Sequence, residues 1–338
     1  AGSWGTALTV LLQRVPEVRL WSRDAEHAGR VEKARRNEQY LPELALARNV
    51  VVTCDIQAAL TDADCVVLAI PSEGYREVAR LAAPFIPPTA LLVNASKGME
   101  PGTAKRLSEA LAEEIAQQSP AGVGNVMSRV AALSGPNLAV EVARGVPTAS
   151  VAASSSPETA RLCQELWMGP TFRVYRSLDL IGVELAGAMK NIYAIGAGVC
   201  EGVGFGDNSR AALLTRGLAE MTRLGVALGA QRATFHGLAG VGDLIATSCS
   251  RLSRNFRLGV ALGQGTDLGS ALAELGQVAE GVPTTRAVRD LARRHAVEMP
   301  VTEALYGALY EGASVPETVR ALMMRPARDE CEEQPGLR

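Results

Sequence analysis

The sequence predicts an α/β domain followed by an all-α domain. The chain has 338 residues, which at roughly 150 residues per domain suggests two domains. Over residues 1–178, short and continuously apolar segments alternate with helical segments, a pattern typical of a parallel sheet covered on both faces. Residues 179–325 show only helical periodicity, so we place the domain boundary near residue 178. Residues 326–338 are a polar tail, which we expect to be frayed.

The α/β part alternates strands with helices in chain order. Its predicted strands are rich in Val, Leu, Ile and Ala and span 18–21, 50–53, 65–71, 90–94, 130–133, 148–152 and 171–175. Its predicted helices span 5–13, 74–82, 105–117, 138–144 and 157–168. The second part is predicted to form helices over 181–200, 208–228, 234–237, 241–249, 255–262, 270–275, 284–295, 300–310 and 315–323.

Composition narrows the class of function. Acidic residues number 36 against 34 basic ones, which argues against a nucleic-acid or polybasic membrane binder. The six cysteines form no C-x-x-C pair and predict buried free thiols, and the three scattered histidines predict no metal site. The longest weakly polar stretch, 185–200, is short and interrupted, so we expect no stable membrane insertion and a cytoplasmic location. Only four of the 34 basic residues are lysines, so each position at which lysine replaces the usual arginine is a candidate for a specific role.

The first residues carry a nucleotide-binding signal. Gly2 and Gly5 open a helix with the spacing of the last two glycines of G-x-G-x-x-G, where the backbone approaches a pyrophosphate. The strand at 18–21 follows at the expected distance, so the first domain is predicted to be Rossmann-like and to bind a dinucleotide. The first glycine and a preceding strand are not in the sequence, and we interpret this as a missing first strand.

The end of strand 18–21 bears on the choice of cofactor. Arg23 follows the strand and is suited to a 2′-phosphate, while Asp24 could serve a ribose hydroxyl. The pattern indicates NADP(H), with or without NAD(H). The alternative is that Arg23 is an ordinary surface residue. Three further strand ends carry small or polar clusters and are predicted to line one crevice. These clusters are 70–72, 94–98 and 133–137.

Three residues are catalytic candidates: Lys190, Asp243 and Lys97. Lys190 lies in a helix of small and apolar residues, where burial lowers the pKa of an amine toward that of a general base; the alternative is a lysine that extends to solvent at a helix edge. Lys97 directly follows a strand and is expected to point into the crevice. Asp243 begins a helix and shares a face with Thr247, although its position also suits a plain N-cap.

A phosphate site is predicted at the start of a later helix. Ser253, Arg254 and Asn255 combine a capping hydroxyl, free backbone N–H groups and a guanidinium, which together suit a phosphate dianion. An ordinary N-cap beside a surface arginine is the alternative.

Taken together, these residues resemble the bacterial NAD(P)-dependent glycerol-3-phosphate dehydrogenases. The resemblance runs in order along nearly the whole chain and is carried by 2–7, 96–98, 134–137, 184–197, 204–208, 216–221, 238–244 and 253–255. It implies hydride transfer between sn-glycerol 3-phosphate and dihydroxyacetone phosphate for phospholipid synthesis, in a cytoplasmic homodimer. It also implies that Lys190 is the proton acceptor.

The resemblance assigns binding roles residue by residue. Together with the pyrophosphate turn at Gly2 and Gly5, the implied cofactor contacts are Ser3, Trp4, Arg23, Lys97, Ala139, Arg254, Val278 and Glu280. The implied substrate contacts are Lys97, Gly135, Asn137, Lys190, Asp243, Thr247, Ser253, Arg254 and Asn255. Two other functions remain open: a ketopantoate or hydroxyacid reductase, which needs no phosphate grip, and a non-catalytic dinucleotide sensor, which needs neither Lys190 nor Asp243.

Overall fold

The computed structural model describes residues 1–118, 122–327 and 329–330. The described strands are β1 (Val18–Trp21), β2 (Arg36–Asn37), β3 (Leu41–Ala45), β4 (Val50–Thr53), β5 (Cys65–Leu68), β6 (Leu91–Asn94), β7 (Val130–Ser134), β8 (Thr148–Ala153) and β9 (Phe172–Ser177). The helices that accompany them are α1 (Ser3–Leu11), α2 (Ala25–Ala34), α3 (Ile56–Leu60), α4 (Tyr75–Ala82), α5 (Leu107–Ala116), α6 (Gly122–Met127), α7 (Ala139–Ala143) and α8 (Pro157–Trp167).

After β9 the described chain is helical, as predicted. The helices are α9 (Leu180–Val203), α10 (Asp207–Ala227), α11 (Arg232–Phe235), α12 (Asp243–Cys249), α13 (Arg254–Gly263), α14 (Leu268–Leu275), α15 (Gly281–Arg294), α16 (Pro300–Tyr310) and α17 (Val315–Met323). A π-helical turn, Leu238–Gly242, leads directly into α12. The predicted polar tail lies partly outside the described residues, since 328 and 331–338 are not described.

The sheet differs from the expected parallel arrangement. Five strands pair in the order β5-β6-β7-β8-β9, and β1 pairs with β4 in a separate parallel sheet. The prediction of a wholly parallel sheet is wrong at β8, which runs antiparallel to β7. Residues 135–147 join β7 to β8, and only the five residues of α7 form a helix there. The connection therefore lacks the longer helix that usually carries the chain back between two parallel strands.

Five elements of the first domain, β2, β3, α2, α3 and α6, are absent from the predicted set. The hairpin of β2 and β3 is only two and five residues long in its strands and carries a register shift. Helices α3 and α6 have only five and six residues, and the ten-residue helix α2 buries only three of its side chains. The prediction of buried thiols is wrong for Cys54 and Cys249, which are exposed, although all five described cysteines are free.

The central helix α9 organises the second domain. Its side chains are buried from Val183 to Cys200 without interruption, because helices α10, α12, α13 and α15 surround it. Helix α13 approaches it at backbone contact: an added Cβ on Gly198 would lie 2.0 Å from the carbonyl oxygen of Phe256. Glycine is therefore required at this crossing. Among the described residues, no helix is both long and apolar enough to cross a membrane.

Candidate active site

A buried carboxylate joins two lysines in the cleft between the sheet and the helices. Lys97 donates from Nζ to Oδ2 of Asp243 at 2.7 Å. Lys190 donates to Oδ1 of the same carboxylate and to Oγ1 of Thr247, the latter at 2.6 Å. Lys190 and Asp243 are 5 % and 1 % exposed, so this is an internal charge cluster rather than a surface ion pair. The structure thus brings together all three catalytic candidates.

Burial sets the protonation of Lys190. Desolvation lowers its pKa to about 7, assisted by the charge of Lys97 and opposed by the charge of Asp243. At neutral pH the amine therefore exists in comparable amounts as the ammonium and as the free base. A group in this condition both accepts and delivers a proton efficiently. The alternative of a solvent-reaching lysine at the helix edge is wrong.

Lys97 is fixed by three acceptors in all. Besides Asp243 it binds the carbonyl oxygen of Gly135 at 2.9 Å and Oδ1 of Asn137 at 2.6 Å. The Asn137 amide in turn donates to Oγ of Ser150 at 3.2 Å. These contacts join the carboxyl ends of β6 and β7, which confirms that these two strand ends line one crevice.

Glycine shapes the crevice wall at two positions. Gly135 has φ +135°, and a Cβ there would lie 3.0 Å from Cα of Ser150. On α9, a Cβ on Gly187 would lie 2.7 Å from Oγ of Ser134. The absence of side chains at these points lets α9 pass directly over the ends of β6 and β7. Lys190, almost one turn beyond Gly187, consequently reaches the same carboxylate as Lys97.

The π-helical turn determines where Asp243 points. An added Cβ on Gly240 would lie 2.0 Å from the carbonyl oxygen of Phe235, so the turn closes only with glycine there. The Asp243 side chain accepts hydrogen bonds from two lysines and from Thr247, and it caps no helix. The interpretation of Asp243 as a plain N-cap is wrong. Single π turns are frequent at functional sites.

The predicted phosphate site lies at the start of α13. Ser253 caps this helix by accepting from the backbone N–H of Phe256 at 3.2 Å. Arg254 is exposed and its guanidinium makes no hydrogen bond with any described residue. Asn255 binds Asn191 at 2.9 Å and accepts from the backbone N–H of Gly281 at 2.9 Å. Of the three, Arg254 is the one with free donors, while Ser253 and Asn255 hold the helix start in place.

The predicted cofactor residues lie on several elements of both domains. Gly2 caps α1 without a side-chain hydrogen bond, so the first N–H groups of this helix are unblocked by side chains. Ser3 and Trp4 form its first turn, and Nε1 of Trp4 is buried without a partner among the described residues. Gly5 makes only an ordinary contact, since an added Cβ would lie 3.6 Å from Cβ of Ala69.

The residues expected on the adenosine side of the cofactor lie after β1 and at the start of α7. Arg23 lies exposed in the loop after β1. Asp24 uses Oδ1 to accept from the backbone N–H groups of Glu26 and His27, so it is a helix cap rather than a free ribose ligand. Ala139 begins α7, which packs against α1.

Glu280 brings the second domain to the end of β5. Its carboxylate accepts from the backbone N–H of Ser72 at 3.0 Å and from its hydroxyl at 2.5 Å. An added Cβ on Gly98 would lie 2.9 Å from Oε2 of Glu280, so this approach requires glycine. Burial raises the pKa of Glu280. Val278, two residues earlier, is exposed beside it.

Two polar residues of α9 received no individual role from the sequence. Asn191 follows Lys190 and binds Asn255, and Glu184 binds three residues of the first domain. Both are polar side chains inside an apolar helix, which is the signal that could have identified them.

A Rossmann-like sheet, a helical second domain and a buried lysine–carboxylate cluster between them define the class of NAD(P)-dependent dehydrogenases. Residues 1–160 match the family model for the N-terminal part of NAD-dependent glycerol-3-phosphate dehydrogenase, and residues 179–320 match the model for its C-terminal part. The chain belongs to this glycerol-3-phosphate dehydrogenase family.

Individual relatives cover nearly the whole chain. Glycerol-3-phosphate dehydrogenase [NAD(P)+] of Moorella thermoacetica is 49% identical over 98% of this chain and 96% of its own length. The Enterococcus faecalis protein of the same name is 44% identical, with 98% and 96% covered. The crystal structure of the Coxiella burnetii glycerol-3-phosphate dehydrogenase superposes with a TM-score of 0.89 at 39% identity, covering 96% of this chain and 97% of that one.

Proposed function

We propose that this protein interconverts sn-glycerol 3-phosphate and dihydroxyacetone phosphate with NADP(H) or NAD(H), and so supplies the glycerol backbone of phospholipids. The observation that carries the proposal is the buried cluster of Lys190, Asp243 and Lys97, close in the chain to a helix start that presents a free guanidinium. Family membership supports the same reaction, because the named relatives share it over nearly their full length.

Lys190 is assigned the proton transfer. Oxidation of a secondary alcohol requires loss of the hydroxyl proton, which the free amine of Lys190 accepts. Reduction requires the ammonium, which polarises the ketone oxygen and then protonates it. Asp243 orients the amine through Oδ1, and Thr247 accepts a second of its hydrogen bonds. Lys97 adds a fixed positive charge that favours developing negative charge on the substrate oxygen.

Arg254 is assigned the phosphate of the substrate. Its guanidinium provides charge-assisted donors, and the N-terminal end of the ten-residue helix α13 favours a negative charge. Ser253 and Asn255 hold this helix start through their own hydrogen bonds. Binding energy at the phosphate then fixes the distant carbinol carbon beside Lys190. Gly135 and Asn137 contribute by holding Lys97 toward the same point.

The residues around α1 fit a dinucleotide. The uncapped helix start at Gly2, which has open space where a Cβ would be, suits a pyrophosphate. The unpartnered indole N–H of Trp4 offers a donor, and exposed Arg23 suits a 2′-phosphate. Ser3 lies in the first turn of α1, and Ala139 begins α7, which packs against α1. Glu280 contacts Ser72 after β5, and we assign it and Val278 to the same dinucleotide. The bound dinucleotide supplies or accepts the hydride.

The organisation of the whole protein is part of the proposal. We divide it into a cofactor domain, 1–178, and a catalytic helical domain, 179–325; the change from β9 to α9 supports this boundary. We also propose a cytoplasmic homodimer, on the strength of the family resemblance. The only other molecules required are the dinucleotide and the phosphorylated substrate.

Substrate-dependent oxidation of NADPH and NADH tests the proposal. The purified protein is assayed with dihydroxyacetone phosphate, with ketopantoate and with dihydroxyacetone, which lacks the phosphate. We expect turnover with dihydroxyacetone phosphate and almost none with the other two. Turnover with ketopantoate instead identifies a hydroxyacid reductase. Dinucleotide binding with no turnover of any substrate identifies a sensor, and either result refutes the proposed function.

A further inference from the structure

We propose that Glu184 is a positioning residue for the reaction: it fixes the helix that carries Lys190 against the strand end that carries Lys97. Glu184 lies on α9 at the boundary between the two domains, and its side chain is buried. The catalytic role of Glu184 rests on the proposed function. The placement of the two lysines by Glu184 does not depend on it.

Four donors from the first domain converge on this one carboxylate. Oε1 accepts from the amide of Asn94 at 2.7 Å and from the backbone N–H of Ser108 at 3.1 Å. Oε2 accepts from the guanidinium of Arg106 at 2.9 Å and from the hydroxyl of Ser108 at 2.5 Å. A carboxylate has about four acceptor sites, so all are occupied.

One of the donors leads directly to Lys97. Asn94 is the last residue of β6 and lies three positions before Lys97. Its Oδ1 accepts from the backbone N–H of Ser96 at 3.1 Å and from the hydroxyl of Tyr75 at 3.2 Å. The amide therefore shapes the turn to Lys97 with its oxygen and binds Glu184 with its nitrogen. Glu184 fixes the orientation of that amide.

On the other side, Glu184 sets the position of Lys190. The two residues are six apart in one uninterrupted helix, or about 9 Å along its axis. Gly187 lies between them at close approach to Ser134, so α9 has little room to slide. A shift of α9 at Glu184 is consequently passed to Lys190. The two lysines meet at Asp243 only while this contact holds.

The consequence for Lys190 is electrostatic. Among the described residues, the charged groups acting on Lys190 are Asp243 from α12 and Lys97 from the turn after β6. If the contact at Glu184 is lost, Lys97 is free to withdraw from Asp243. Lys190 then loses the repulsion from Lys97 and no longer shares the Asp243 carboxylate. Both changes raise the pKa of Lys190 above its native value of about 7.

The test compares Glu184→Gln and Glu184→Ala with a buried-carboxylate control. Glu184→Gln keeps an acceptor for Asn94 but loses the ion pair with Arg106, while Glu184→Ala removes every bond. Glu220→Gln is the control, because Glu220 is equally buried and binds Tyr193 of α9, yet its partners all lie in the helical domain. Fluorescence titration with NADPH counts the folded, cofactor-binding sites, and kcat is expressed per site.

Two readouts separate positioning from general destabilisation. We expect kcat per site to fall about tenfold in Glu184→Gln and about 100-fold in Glu184→Ala, with cofactor affinity unchanged. The second readout is the titration of Lys190 in protein labelled with ¹³C-lysine, which gives only four side-chain signals. We expect its pKa to rise by about one unit in Glu184→Ala. The control keeps both values of the wild type.

Each result decides the inference. A folded Glu184→Ala with wild-type kcat per site and wild-type Lys190 titration overturns it. If that variant does not fold, Ser108→Ala removes one of the four donors and keeps the ion pair; unchanged kcat and titration there also overturn it, and a smaller change in the same direction supports it. If the wild type shows no turnover, the proposed function has failed, and the lysine titration still decides the geometric inference.

Discussion

Lys97 and Lys190 bind opposite oxygens of one carboxylate, although they lie 93 positions apart in the chain and belong to different domains. Asp243 thereby holds two positive charges at one point of the cleft. One of the two amines is buried enough to lose its proton near neutral pH, and the other is held by three acceptors. A titratable amine beside a fixed charge is the arrangement that a reversible alcohol oxidation requires.

Removal of the Lys190 amine is expected to abolish most of the chemistry without loss of cofactor. Lys190→Ala should lower kcat by about 10³-fold, within the range typical of a general acid–base group. Exposed Lys33 on α2 provides the matched control, and Lys33→Ala should retain wild-type turnover. Steady-state kinetics and NADPH fluorescence titration measure the two effects. Undiminished kcat in Lys190→Ala would remove Lys190 from the mechanism.

The two directions of the reaction should depend on pH in opposite ways. The pKa of Lys190 is about 7, and oxidation needs the free amine, so kcat/KM for glycerol 3-phosphate should rise through about pH 7. Reduction needs the ammonium, so kcat/KM for dihydroxyacetone phosphate should fall through the same pH. Asp243→Asn removes the charge that raises this pKa, which should move both midpoints to lower pH. Midpoints that stay in place in that variant contradict the assignment.

The sequence predicted the parts of this site but not their convergence. Strand β1 and strand β4 have the predicted bounds, because buried parallel strands are continuous apolar runs that a single sequence reveals. The direction of β8 depends instead on the length of α7, and the β2–β3 hairpin depends on a short irregular pairing. Neither feature has a periodic signature.

The site residues likewise divide into those that the local sequence predicts and those that depend on packing. The apolar residues around Lys190 on α9 predicted its burial and its lowered pKa. The role of Asp243 was ambiguous, because its binding to Lys97 spans 146 positions and depends on a π-helical turn. The four donors to Glu184 come from segments 76 to 90 positions away, and no spacing rule connects them. Convergence across domains is a property of packing.

Arg254 is expected to act through the phosphate of the substrate. Arg254→Ala removes one charge-assisted contact, so we expect KM for dihydroxyacetone phosphate to rise about 10- to 100-fold. Turnover of phosphate-free dihydroxyacetone, measured at high concentration, should not change. Arg257→Ala lies one turn further along α13, is exposed, and serves as control. An equal loss with both substrates would show that Arg254 acts on the helix rather than on the phosphate.

Arg23 should distinguish the two cofactors. The guanidinium is exposed after β1, where a 2′-phosphate is expected, so Arg23→Ala should raise KM for NADPH about tenfold. KM for NADH should remain the same, because that cofactor lacks the phosphate. Arg30→Ala, an exposed arginine on α2, is the control. If both cofactors bind Arg23→Ala as they bind the wild type, the 2′-phosphate role is wrong.

The π-helical turn provides a test of how backbone shape supports the chemistry. Gly240→Ala places a Cβ 2.0 Å from the carbonyl oxygen of Phe235, so the turn must open. We expect a loss of about 1–3 kcal/mol in the free energy of unfolding, as for overpacked cores, together with reduced kcat. Gly242→Ala is the matched control, since its Cβ meets nothing closer than 3.7 Å and its backbone is helical. That variant should keep both properties, because helical alanine is favoured over glycine. Thermal unfolding and kcat measured on both variants give the comparison, and equal behaviour of the pair would show that the turn tolerates a side chain at Gly240.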